Sequence, residues 1–178
     1  MSPLSRATGF RQSAAAIALL IGTTLTVGSA LLFQHVGGYI PCALCLEQRT
    51  PYYVAIPIAL VAAIAAAGRA RPVLVRGLLL VLGLVMLWSL YLGVFHAGVE
   101  WGYWPGPAEC AGAAGGDLMG GDLLSTIDAV RAPSCDQAAA RFFGLSFAGW
   151  NAVASAILAS IALAAAFARS DRFATLEH

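Results

Sequence analysis

The chain has 178 residues, of which 60% are hydrophobic and only 11% charged, against roughly 25% charged in soluble domains. Its ten basic residues, all arginine, balance nine acidic ones to a net charge of +1, which excludes both the basic field of a nucleic-acid binder and an acidic tail. Because a bilayer span takes about 20 mostly apolar residues, the composition predicts an all-α membrane protein: a four-transmembrane-helix bundle in a single integral membrane domain over residues 1–178.

In chain order, the first span is predicted over 14–33, after Arg6 and Arg11. An outer loop over 34–50 leads to a second span over 51–67, short for a bilayer and extensible by a turn from Leu44 to Thr50, with a kink predicted at Pro57. The third span, 77–95, follows Arg69, Arg71 and Arg76, and the fourth, 145–168, precedes Arg169 and Arg172. Between them, 96–144 forms a longer outer loop whose Trp101, Tyr103 and Trp104 suit the headgroup level. Within it, Leu123, Leu124, Ile127 and Val130 share one helical face opposite Asp122, Ser125 and Arg131. That pattern reads as a short membrane-surface helix, or equally as a turn packed on the span ends.

Four spans leave both termini on one side. Arg6, Arg11, Arg69, Arg71, Arg76, Arg169 and Arg172 flank that face, whereas only Arg49, Arg131 and Arg141 flank the other, so the positive-inside rule makes the termini cytoplasmic. A cleaved secretory signal is an alternative for the first span, since Gly28-Ser29-Ala30 offers small residues. Against it, the apolar run continues through Leu31, Leu32 and Phe33, and removing it would spoil the arginine sorting. The closing Leu176-Glu177-His178 matches the start of an expression-tag scar.

All four cysteines fall in the two outer segments: Cys42 and Cys45 in Pro41-Cys42-Ala43-Leu44-Cys45, Cys110 and Cys135 far apart in the long loop. Their even number and location suggest disulfides. A zinc site would want two close ligand pairs and only one pair is close, so no metal is expected; nor does a histidine follow Cys45 as a haem signature requires. A bridge across a two-residue gap removes little chain entropy from the unfolded state, which makes Cys42 and Cys45 a poor staple and a plausible redox pair. Two purely structural disulfides are the alternative. The Cys-x-x-Cys spacing, a following helix N-terminus and a nearby cation each favour a thiolate. Arg49 supplies the cation, one turn from Cys45 and on the same face if the helix begins there; its bland role would be snorkelling to headgroups.

Phe33-Gln34-His35-Val36, Pro41-Cys42-Ala43-Leu44-Cys45-Leu46-Glu47-Gln48-Arg49 and a second cysteine pair between spans three and four together resemble the disulfide bond formation protein B (DsbB) family, quinone-dependent thiol oxidases of the bacterial periplasm. The segments from His96 to Pro107 and from Gly144 to Asn151 resemble one branch of it. The resemblance implies a multi-pass protein of the bacterial inner membrane, with bridges Cys42–Cys45 and Cys110–Cys135 facing the periplasm. It implies reoxidation of a DsbA-like thioredoxin-fold dithiol carrier, with ubiquinone or menaquinone as electron acceptor. Cys110 would take the mixed disulfide, Cys135 would attack Cys42, and Cys45 would be released beside the quinone. The mobility needed to reach Cys42 is expected from the glycine-rich stretch from Cys110 to Gly121.

Arg49 and His96 are the expected quinone-binding residues, with Gln34 and His35 shaping or hydrogen-bonding the site. Glu47-Gln48 departs from the pair expected in the best-known member, which leaves no acid assigned to that position. Asn151, inside span four, reads as a helix-helix hydrogen-bonding group. The reading from a different class is a four-span structural or assembly protein held by two disulfides.

Overall fold

The structure, a computed structural model, describes residues 4, 9–108, 110 and 134–169. The expected surface helix over 122–131 and the glycine-rich stretch beyond Cys110 lie outside the described residues. Four long helices form the bundle: α1 (Phe10–His35), α3 (Thr50–Ala67), α4 (Pro72–Glu100) and α5 (Phe147–Phe167), with a short helix α2 (Ala43–Glu47) before α3. All four are long and apolar enough to cross a membrane, α3 being counted together with α2. They pack in a ring in which α1 meets α3, α3 meets α4, α4 meets α5 most extensively, and α5 returns to α1.

Each helix bound has a local cause. Pro51 and Pro72 stand in the first turns of α3 and α4, where a missing N–H leaves nothing unsatisfied. Helix α3 runs through Pro57, as membrane helices tolerate. The short second span gains α2, but as a separate turn after a break at Gln48 and Arg49. Helix α4 is longer than the apolar run because Arg76 is fully buried and belongs inside the helix. Its 29 residues reach about 44 Å at 1.5 Å each, against a hydrocarbon core of about 30 Å. The excess lets α4 carry His96 and Glu100 toward the rim of the bundle. The fourth span starts at Phe147, two residues later than expected, because Leu145 and Ser146 form strand β2 against β1 (Arg141–Phe142). Phe143 and Gly144 turn this hairpin with positive φ angles of 52° and 84°, the signature of a two-residue primed turn. Ser146 then caps α5, its hydroxyl accepting from the Gly149 N–H at 3.2 Å.

Small residues set the helix spacing. At Gly93 an added Cβ would stand 2.9 Å from the Ala152 nitrogen and 3.0 Å from its Cα, and at Gly83 it would strike the Leu163 side chain, so α4 and α5 approach backbone to backbone at Gly93 and backbone to side chain at Gly83. At the end bearing the chain termini, Arg76 donates to the carbonyls of Ala166 (2.9 Å) and Ala168 (2.8 Å), while Gln12 of α1 donates to Ala165 O at 3.2 Å. Carbonyls that the last turn of α5 leaves without an intrahelical donor are thereby satisfied inside the protein. Gly93→Val should force α4 from α5 and destabilise the fold by about 1–3 kcal/mol, the usual scale of overpacking. Thermal unfolding in detergent would check this, with Gly77→Val, at a position with no neighbour within 4 Å, as the control that changes little.

Candidate thiol–disulfide site

At the opposite end of the bundle, the chain leaving α1 turns back through Pro41 and enters α2 with Cys42 as its N-cap residue. The Cys42 sulfur accepts from the Cys45 N–H at 3.2 Å, so one helical turn brings the two sulfurs together. They form a disulfide, Cα atoms 5.0 Å apart, and Cys110 and Cys135 form a second with a Cα separation of 5.3 Å. Cys42, Cys110 and Cys135 are buried in one cluster with Leu44 and Val99, and Cys45 packs against it. Both bridges thus contribute sulfurs to one buried cluster.

A chain of buried polar side chains leads from this cluster into the bundle. His96 Nε2 lies 3.7 Å from Cys42 Sγ and 3.8 Å from Glu100 Oε1, and its Nδ1 meets the Gln48 amide. Gln48 Oε1 accepts from Asn151 Nδ2 at 2.7 Å, and Asn151 Oδ1 accepts from the Tyr52 hydroxyl at 2.7 Å. Tyr52 also meets Ser155 Oγ at 2.9 Å, and Ser155 donates to Ser89 Oγ at 2.8 Å. Gln48, Tyr52, His96, Ser89 and Ser155 are all buried, so each bond replaces one that water cannot supply.

A cavity of about 650 Å³ opens beside the Cys42–Cys45 bridge, running along α1 from Leu25 to Gln34 and bounded by α3, α5 and the hairpin. Phe33, Phe142 and Phe147 face one another across its apolar wall, ring centroids 5.0–5.9 Å apart. Its polar groups include Gln34, Gln48, Arg49, Tyr52, His96, Glu100, Gln137 and Asn151. Size, apolar lining and convergent polar groups are those of a small-molecule site.

Gln34, Arg49 and His96 line this cavity with Cys42 and Cys45. Arg49 differs in placement from the expectation: it is the N-cap residue of α3, past the break, rather than one turn along the helix that holds Cys45. Its guanidinium donates to Gln34 Oε1 and so ties α3 to the end of α1. His35 does not line the cavity. It is the last residue of α1 and is exposed. Glu47 is exposed, whereas Gln48 is buried and bonded to His96. Asn151 bonds between helices as its position in span four suggests. Tyr52, Gln48 and Glu100 were missed as site residues; a polar group repeated at the outer ends of otherwise apolar spans was the available signal. Trp101, Tyr103 and Trp104 are exposed, and Trp104 lies over Gly98, where a Cβ would overlap its ring, with its indole N–H donating to Phe95 O at 2.8 Å.

Fold and site together define a multi-pass membrane protein that holds two disulfides in one cluster at one end of a helical bundle. A family model described as "Disulfide bond formation protein DsbB" matches residues 12–165. The chain is also 32% identical over 145 residues to Disulfide bond formation protein B of Polaromonas sp. (strain JS666 / ATCC BAA-500), covering 75% of this chain and 77% of that protein. No solved structure gives a significant match. The chain belongs to the DsbB family, and is thus a membrane disulfide oxidoreductase of disulfide bond formation.

Tyr52→Phe should leave the bundle intact but lower its stability by about 1–3 kcal/mol, because it removes the bonds to half-buried Asn151 and buried Ser155. Thermal unfolding of the oxidised protein would measure it. A variant as stable as the parent would show that the hydroxyl joins nothing of consequence.

Proposed function

We propose that this protein reoxidises a periplasmic thioredoxin-fold dithiol carrier and delivers the electrons to membrane quinone. The observation that carries the proposal is the packing of both disulfides into one buried cluster, with Cys42 and Cys45 on the wall of an apolar cavity that also holds Arg49, Gln34 and His96. The volume and the apolar wall suit a quinone head group, and the donors of Arg49, Gln48 and His96 suit its two oxygens. A bound quinone supplies a two-electron, two-proton acceptor.

The chain's own part is thiol–disulfide exchange. Cys110 takes the mixed disulfide with the carrier, which frees the Cys135 thiolate. Cys135 attacks Cys42, its neighbour in the cluster, and Cys45 leaves as a thiolate facing the cavity. The carrier's second thiol then releases Cys110, which returns to Cys135 and frees Cys42. Cys42 and Cys45 close again as their electron pair departs. Arg49, anchored by Gln34, places positive charge on the cavity wall, where it favours the released thiolate.

The need for a strong acceptor follows from the potentials. A DsbA-type carrier sits near about −120 mV, the DsbA–DsbB–quinone relay being itself the reference case for that figure, and glutathione near −220 mV would lie roughly 4.6 kcal/mol uphill. The cysteine end faces the periplasm and the termini the cytoplasm, which the arginine distribution supports: Arg11, Arg69, Arg71 and Arg169 flank the end opposite the disulfides.

Quinone consumption driven by a reduced thioredoxin-fold carrier tests the proposal. Cys45→Ser should abolish it in a protein that stays folded. Cys110→Ser should block transfer from the carrier yet leave quinone reduction by a small dithiol; loss of both would contradict the division into two pairs. Arg49→Ala should raise the quinone KM while carrier exchange with the Cys110–Cys135 bridge persists, and unchanged quinone kinetics would remove Arg49 from the site.

A further inference from the structure

The close spacing of only one cysteine pair argues against a metal in the sequence, but the fold brings a third ligating group, His96, to that pair. Cys42 Sγ, Cys45 Sγ and a ring nitrogen of His96 lie within 4.8 Å of one another. Glu100, one helical turn beyond His96, has a side chain only 4% exposed, its Oε1 3.8 Å from His96 Nε2. Its Oε2 is buried without a hydrogen-bond partner, the one such side-chain atom among the described residues. A buried carboxylate oxygen with no donor is unfavourable, and a cation would satisfy it.

The separations suit a tetrahedral centre. Zinc–sulfur and zinc–nitrogen bonds of about 2.3 and 2.0–2.1 Å put adjacent S and N ligands about 3.6 Å apart, and adjacent N and O ligands about 3.4 Å apart. Cys42 Sγ and Glu100 Oε1 stand 3.7 and 3.8 Å from His96 Nε2. The Gln48 amino group lies at Nδ1; with the Gln48 and Asn151 amides both turned over, the Gln48 carbonyl accepts the Nδ1–H and its amino group donates to the Asn151 carbonyl, which supplies the second bond by which metal-binding histidines are held.

We propose that the reduced Cys42–Cys45 pair, with His96, forms a three-ligand site for a thiophilic divalent cation such as Zn²⁺, with the Glu100 carboxyl beside His96, present only while the bridge is open. A dithiol or phosphine reductant opens the bridge with two electrons and two protons. The cation then displaces both thiol protons and binds the two thiolates, its own oxidation state unchanged. Bound metal holds both sulfurs and so arrests the pair in its reduced form. The inference rests on ligand geometry and stands apart from the quinone reading.

Direct binding tests it, with no turnover involved. The full-length chain carrying Cys110→Ser and Cys135→Ser, reduced with a phosphine in detergent, is titrated with Zn²⁺ against a chromophoric chelator, and with Co²⁺ by visible spectroscopy. One Zn²⁺ per chain is expected after reduction, and binding at least 100-fold weaker when the bridge is closed. Co²⁺ should give intense tetrahedral bands with thiolate charge transfer. Gln48→Leu should weaken Zn²⁺ binding by roughly 10–100-fold, the usual effect of losing an outer-shell partner, and His96→Ala by more. An octahedral Co²⁺ spectrum, equal binding to oxidised and reduced protein, or a folded His96→Ala that binds as the parent does would overturn the site. The Co²⁺ spectrum needs no His96 variant, so the result stands even where that substitution fails to fold.

Discussion

Polar groups sunk between apolar helices must find partners within the protein, since hydrocarbon offers none. Tyr52 is where this constraint acts most strongly. Its hydroxyl joins Asn151 and Ser155 of α5, and Ser155 reaches Ser89 of α4, so one side chain of α3 ties three helices. Asn151 then fixes Gln48 and Gln48 fixes His96, which leaves the other ring nitrogen facing Cys42 and Glu100. The orientation of the imidazole beside the disulfide is thus inherited from hydrogen bonds made two turns deeper in the bundle.

The two ends of the molecule use polar groups differently. Near the termini, Arg76 and Gln12 close the last turn of α5, a structural use. At the disulfide end the polar groups converge on a cavity and leave one carboxylate oxygen without a partner. A saturated network specifies packing, whereas an incomplete one beside a cavity leaves capacity for a ligand.

Much of this was readable in the sequence because membrane constraints are blunt. Four long apolar runs cannot be anything but spans, and the placement of Cys42 and Cys45 before the second span carried the family resemblance. The bounds of α4 were not readable, because Arg76 looks like a flanking charge until α5 supplies its carbonyls. The hairpin before α5 was hidden in a run of aromatic residues with only Gly144 to mark it. His35 and Gln34 are adjacent in a motif, but a helix turns by 100° per residue, and only Gln34 reaches the cavity. Glu100 and Gln48 acquire their meaning from contacts with His96, 4 and 48 residues away, which no local pattern encodes.

The account turns on the claim that the two sulfur pairs exchange with each other inside one buried cluster. Removing Cys45 and Cys110 leaves Cys42 and Cys135 as the available thiols, and mass spectrometry of the mildly oxidised, membrane-embedded protein reads out their fate. The account predicts an intramolecular Cys42–Cys135 bridge in nearly every chain. Two free thiols, or crosslinks only between separate chains, would contradict it.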